Sequence, residues 1–437
     1  MRLTRRCASF LLGAVMFGAT SGVLGAQWLP TERADQLGFS ENGLRRVGSV
    51  VQAHIDSGVI AGAVLVIARH GKIAYRNTYG VMDLGTRQPM RADALFRICS
   101  MSKPVTAAAA MQLVDRGKLD LKDPVAKYLP AFAQAKVYSG GSSARPNLRD
   151  PDRPILVEDL MLHTPGFTYG PWGTSPVDTL WTQAHLFDWD QPVAVLADKV
   201  ARLPLVFSPG TQWNYGVSLD VLGRVIEVVS GKPLDVYLRD ELFAPLGMRE
   251  TGFVVKEAAL SRFPTLYDRA DSSSSLRPAG PHIGECGNQR LNGRLFGGGG
   301  GLVSTVADYL RFAQMLLNNG ELDGHRVLSS SSVRQMMTNH LPPTLLPLPL
   351  PTMLGRPGQP GYGQGYGGAV LLDPSANPVP GSVGIYRWLG YYSTYFWIDP
   401  KEDVITMVWT QYLPSATTSI GLDPAVQRAV YAALSPP

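Results

Sequence analysis

Strand-like patterns occupy both ends of this chain and thin out between them, and that distribution constrains the fold more than any other feature. Residues 61–68 and 72–81 are apolar-rich runs on either side of His70-Gly71, which predicts a β-hairpin. Residues 366–372, 392–398 and 404–411 read as further strands near the other end. Between about 119 and 296, helical patterns such as 219–230 and 234–243 alternate with Pro/Gly-rich loops. Strands at both ends imply one sheet built from both. The expected architecture is therefore α/β: an antiparallel sheet from the N- and C-terminal portions (27–118 and 296–437), flanked by helices, with a mostly helical domain (119–295) inserted between them.

The helix signals fit around that sheet. In residues 40–57 the apolar Leu44, Val47, Val50, Val51 and Ile55 recur at helical spacing, with Ser40 as N-cap. Residues 101–116 form an alanine-rich helix closed by Gly117, and Pro104 falls in its first turn, where a missing N–H costs little. Five glycines, 297–301, precede a helix over 305–318, and a last helix runs near 424–434. No Gly-Lys-Ser/Thr follows the glycines, so they are not a phosphate cradle. They are expected to let backbone approach a pocket or a strand. The polar tracts 139–152 and 271–281 read as exposed loops. The Leu/Pro-rich segment 341–364 reads as a packed surface loop, with a flap over a cleft as the sharper alternative.

Arg2, Arg5 and Arg6 precede an apolar run, 10–17, and a small-residue stretch ending Gly25-Ala26, which together read as a secretory signal peptide over 1–26. Cleavage and export are expected, to the periplasm or beyond; an uncleaved anchor is the alternative, and Arg5-Arg6 also permits twin-arginine export. The run is too short for a comfortable spanning helix, so no integral membrane segment is expected beyond the signal. Those three arginines account for three of the five net positive charges, leaving no electrostatic case for nucleic acid. Cys7 leaves with the signal, so Cys99 and Cys286 remain; export would permit a bond, but two buried thiols are the expectation. The seven histidines contain no HxxxH pair, so no metal is expected, and His163 reads as a structural loop residue.

The chemistry begins at Ser100-Met101-Ser102-Lys103. Residues i and i+3 share a helix face, so the Lys103 amine can lie beside the Ser100 hydroxyl. Such a pair suggests a serine hydrolase that uses no histidine. On the order of one such spacing arises by chance in a chain of this length, so the context must decide. No Gly-x-Ser-x-Gly is present, and an α/β-hydrolase nucleophile elbow is excluded. The third candidate is Tyr215, in Pro209-Gly210-Thr211-Gln212-Trp213-Asn214-Tyr215-Gly216 just ahead of a helix.

With Phe96-Arg97-Ile98-Cys99-Ser100-Met101-Ser102-Lys103, Leu162-His163-Thr164-Pro165-Gly166, the Tyr215 segment, Leu242-Phe243-Ala244-Pro245-Leu246-Gly247-Met248, Gly299-Gly300-Gly301-Leu302-Val303-Ser304 and Thr394-Tyr395-Phe396-Trp397-Ile398-Asp399-Pro400 in this order, the chain resembles the class C β-lactamase and penicillin-binding-protein superfamily. Within it, the chain most resembles the family VIII carboxylesterases. The resemblance implies a β-lactamase-like fold, Ser100 as nucleophile, and Lys103 with Tyr215 as a coupled base, a free Lys or Tyr being no base at neutral pH. It also implies an oxyanion hole from the N–H groups of Ser100 and Tyr391. Trp388, Gly390, Trp213 and Tyr169 are the substrate-binding candidates.

Two motifs depart from the β-lactamases. Tyr215-Gly216-Val217 stands where they carry Tyr-x-Asn, and Trp388-Leu389-Gly390 where they carry Lys-Thr-Gly. The latter resembles the Trp-x-Gly of carboxylesterases, although Leu389 stands where those have glycine. Arg387 is the candidate replacement for the missing lysine. The expectation is a carboxylesterase acting on a small or medium ester, with no cofactor and an open oligomeric state. A β-lactamase or D-Ala-D-Ala carboxypeptidase, an acyltransferase and a catalytically silent penicillin-recognition domain are the alternatives.

Overall fold

A computed structural model describes residues 27–435 except 172, 281–285, 287–292, 349–359 and 416–418. The signal segment 1–26 therefore lies outside the described residues, as does the middle of the 341–364 segment.

The sheet has seven strands: β1 (Gly62–Arg69), β2 (Lys72–Gly80), β3 (Tyr362–Gln364), β4 (Ala369–Leu371), β5 (Tyr386–Gly390), β6 (Thr394–Asp399) and β7 (Val404–Trp409). Their spatial order is β3-β4-β5-β6-β7-β1-β2, so the N-terminal hairpin joins the C-terminal meander at β1 and β7. That junction is antiparallel, with Val64 opposite Trp409 and Arg69 opposite Val404. All residues of β6 and β7 are buried, and all but Arg69 of β1. Near-continuous apolar strands of this kind occur where both faces of a sheet are covered.

Helices α1 (Glu41–Asp56) and α10 (Leu422–Ala433) pack together against one face. Ser40 caps α1 by accepting the Gly43 N–H at 3.2 Å. Gly43 is required there, because a Cβ would sit 2.7 Å from Ala433 of α10. On the other face α8 (Val306–Leu317) lies on β6 and β7, its Tyr309 ring 5.2 Å from Phe396 and 5.7 Å from Trp409, and α9 (Ser330–Met336) follows it in the chain. Helix α2 (Ser102–Asp115) is buried from Ser102 to Leu113, which its run of four alanines permits.

The intervening chain carries α3 (Val157–Leu162), α4 (Pro176–Gln183), α5 (Val193–Ala201), α6 (Ser218–Ser230) and α7 (Leu234–Leu238). Three expectations need correction. The tract 139–152 is not simply a loop: Val137–Ser142 and Arg145–Arg149 pair as an antiparallel ribbon, bulged near Gly140 and Gly141, whose positive φ values a period-2 reading cannot anticipate. Within 271–281, Arg277–Pro278 pairs with Tyr267–Asp268. The cysteines are likewise corrected: Cys99 and Cys286 are bonded, with Cα atoms 5.0 Å apart across 187 residues of sequence. That separation is set by the tertiary fold, which spacing does not report. At the end of the 341–364 segment, Tyr362–Gln364 forms edge strand β3. No helix among the described residues is long and apolar enough to cross a membrane.

Candidate active site

Ser100 sits in a single 3-10 turn, Cys99–Met101, that leads directly into α2. Cys99 is held at φ 45° and tied by its disulfide, so the residue preceding Ser100 is fixed from both sides. Lys103 is the second residue of α2, and its Nζ donates to Ser100 Oγ at 3.1 Å. The start of α2 is stitched to the glycine run. Ser102 Oγ accepts from the Leu302 N–H at 3.1 Å, Thr106 Oγ1 donates to Gly298 O at 2.7 Å, and Tyr309 OH donates to Met101 O at 2.9 Å.

Lys103 is fully buried. Besides Ser100, its Nζ donates to Tyr169 OH at 3.1 Å and to the carbonyl of Gly299 at 2.6 Å. It also lies 4.7 Å from the centroid of the Tyr215 ring, within cation–π range. The glycines thus let main chain reach the amine, as the sequence implies. A Cβ on Gly298 would sit 2.5 Å from Leu219 O, and one on Gly297 would sit 2.6 Å from Asp220 Oδ1.

Tyr215 precedes α6 and is surrounded by rings. Trp213 stacks on it at 6.1 Å with 14° between planes; Trp388 lies 5.9 Å away, Tyr169 5.5 Å and His163 4.8 Å. His163 caps α3 in the left-handed region, φ 59°, where His is better tolerated than most side chains. Its carbonyl accepts from Asn214 N at 2.9 Å, and Asn214 Nδ2 donates to Phe167 O at 2.8 Å, so the two loops are laced together beneath Tyr215. Burial, then the charge of Lys103, push the His163 imidazole well below its ordinary range, which keeps it neutral. His163 reads here as a support of Tyr215. Among described atoms, both His163 ring nitrogens and the indole nitrogens of Trp213 and Trp388 have no hydrogen-bond partner.

Strand β5 brings the remaining candidates. Gly390 abuts the Ile98 carbonyl, two residues before Ser100, so closely that no Cβ fits, and Tyr391 follows it beside the Cys99–Cys286 bond. Arg387 does not turn toward the site. It is buried against α10, where it pairs with Asp423 and donates to Gln427 Oε1 at 3.0 Å. Ser100, Lys103, Tyr215, Trp213, Tyr169 and Trp388 are therefore brought together, and Arg387 is left on the opposite side of the sheet. Two participants escaped the sequence reading: the Gly299 carbonyl and Asp220, which accepts the Gly299 N–H at 3.0 Å. The glycine run and an Asp five residues past Tyr215 were the available signals. Among the described residues no group of three or more His, Cys, Asp or Glu is placed to hold a metal.

A family model described as Beta-lactamase matches residues 47–431. Protein Rv1367c of Mycobacterium tuberculosis is 36% identical over 365 residues, covering 82% of this chain and 88% of that protein. Esterase EstB of Burkholderia gladioli is 30% identical over 410 residues, covering 89% and 95%. Among solved structures, "EstCE1, a hydrolase with promiscuous acyltransferase activity" superposes with a TM-score of 0.72 at 27% identity, covering 89% of this chain and 99% of its own.

Proposed function

The chain belongs to the Beta-lactamase family, whose fold it has, and from that membership we propose that it is an exported serine carboxylesterase of the family VIII kind. Ester hydrolysis is supported at the level of the family by EstB. The observation that carries the reading to this chain is the buried Lys103 Nζ, 3.1 Å from Ser100 Oγ and over the Tyr215 ring.

In this mechanism Ser100 Oγ attacks the ester carbonyl carbon as its proton passes to the Lys103–Tyr215 pair. The oxyanion is held by the N–H groups of Ser100 and Tyr391. Collapse expels the alcohol, which takes the proton back, and leaves acyl-Ser100. The pair then deprotonates a water that attacks the acyl carbon, and the Oγ–acyl bond breaks as the proton returns to Ser100 Oγ and the acid leaves. An alcohol reaching the same intermediate would give transfer, and EstCE1 is a hydrolase with promiscuous acyltransferase activity. Export rests on the signal-like N-terminus and on the Cys99–Cys286 bond, a linkage kept in oxidising compartments.

Small or medium esters are the proposed substrates because Trp388 stands where a lactamase carries the lysine that helps hold a carboxylate. An uncompensated buried charge costs several kcal/mol, which a neutral ester avoids. The test is kcat/KM for nitrophenyl esters of rising acyl length beside benzylpenicillin and a D-Ala-D-Ala peptide. A short ester should exceed benzylpenicillin by at least ~100-fold, about 2.7 kcal/mol. Equal efficiencies would overturn the esterase assignment.

A further inference from the structure

When the Ser100 proton passes to the Lys103 half of the pair, the buried amine has to present a lone pair to Ser100, and the direction of that lone pair becomes a structural problem. A neutral amine has two N–H bonds and one lone pair, and the oxygens close to Nζ include Ser100 Oγ, Tyr169 OH and Gly299 O. Two of these are hydroxyls, able to donate or accept. The third, a carbonyl, can only accept. An amine N–H is therefore committed to Gly299 O at 2.6 Å, and this fixes the torsion about Cε–Nζ. With Tyr169 taking a second N–H, the lone pair can face the Ser100 hydroxyl.

The orientation depends on where the Gly299 carbonyl points, and glycine has the freest backbone of any residue. Asp220 holds the peptide that enters Gly299. This carboxylate is fully buried in the first turn of α6, five residues beyond Tyr215, and Oδ1 accepts the Gly299 N–H at 3.0 Å. Oδ1 also fills the space beside Gly297, where a Cβ would sit 2.6 Å away. The same peptide unit is held at its other end by Thr106 Oγ1, which donates to Gly298 O at 2.7 Å. Asp220 thus fastens the N–H of the residue whose C=O aims the amine.

We infer that Asp220 is a positioning residue for the Lys103 base, acting through Gly299. This rests on the SxxK–Tyr reading of the site. It makes the start of α6, just beyond Tyr215, a link through Gly299 to Lys103 on α2, so one helix start bears on both halves of the base.

Three variants test it. Asp220→Ala should lower kcat for a short nitrophenyl ester by about 100-fold, the scale of a displaced catalytic group, with KM changed less than about twofold. Asp220→Asn, which keeps an acceptor oxygen in place, should recover most of that loss. Gly297→Ala displaces the carboxylate without deleting it and should reproduce the kcat defect in a protein whose thermal midpoint and circular dichroism show it folded. In a Lys103→Ala background, Asp220→Ala should cost nothing further. A kcat loss that persists undiminished in that background, or a Gly297→Ala enzyme that is folded and fully active, would overturn the inference. Full activity in Lys103→Ala itself would instead sink the base assignment on which it rests.

Discussion

Arg387 and Trp388 are neighbours in β5 and face opposite sides of the sheet, Trp388 toward Tyr215 and Arg387 toward Asp423 of α10. Successive side chains of a strand alternate between faces, so an indole lining the site commits the preceding guanidinium to the other layer. The replacement cation that would have favoured carboxylate-bearing lactams is thereby removed from the pocket.

Arg387→Ala is accordingly expected to act on stability. Removing one partner of a buried ion pair leaves the other uncompensated and typically costs about 3 kcal/mol or more. Urea unfolding at neutral pH should show that loss, while the ratio of ester to penicillin kcat/KM stays within about threefold. Selective loss of a penicillin rate would mean that Arg387 reaches the substrate after all.

Lys103 and Tyr215 are expected to behave as one unit. Lys103→Ala and Tyr215→Phe should each lower kcat by about 1,000-fold or more, and the double variant should be little worse than either, since groups that serve a single proton transfer give strongly non-additive losses. Additive losses across the double-mutant cycle would return Tyr215 to a purely packing role.

His163 makes a prediction in pH. Burial and Lys103 hold its folded-state value below the 6.5 of the unfolded chain, so between the two the unfolded state binds the extra proton. Stability from this group is therefore intact above about pH 6.5 and falls as the pH is lowered through it, by about 1.4 kcal/mol per unit. His163→Asn, which tolerates the left-handed backbone, should flatten that part of the profile relative to the parent. Chemical unfolding at pH 7.5, 6 and 5 measures the difference, and parallel profiles would contradict the burial argument.

What was legible in the sequence was local. Ser40 and the spacing of Leu44, Val47 and Val51 define α1; the apolar runs around His70-Gly71 define the hairpin of β1 and β2; and the i,i+3 offset of Ser100 and Lys103 becomes a direct contact at 3.1 Å. Tyr215 was found by its motif, since nothing local ties it to Ser100. The misses are long-range. The Cys99–Cys286 bond and the Asp220–Gly299–Lys103 connection join residues 187, 79 and 196 positions apart. No periodicity encodes such contacts. The ribbon at Val137–Ser142 and Arg145–Arg149 was hidden because bulging glycines break its alternation and its faces are largely solvent-exposed. Arg387 was decidable in principle, because placing Trp388 in the site fixes the other face of β5.

The nucleophile can be tested directly by labelling the folded protein with a fluorophosphonate ester probe, followed by intact-mass measurement and peptide mapping. The expected result is a single adduct on Ser100, with labelling and ester hydrolysis both lost in Ser100→Ala while the thermal midpoint is retained. An adduct on another serine, or undiminished hydrolysis in Ser100→Ala, would contradict the assignment.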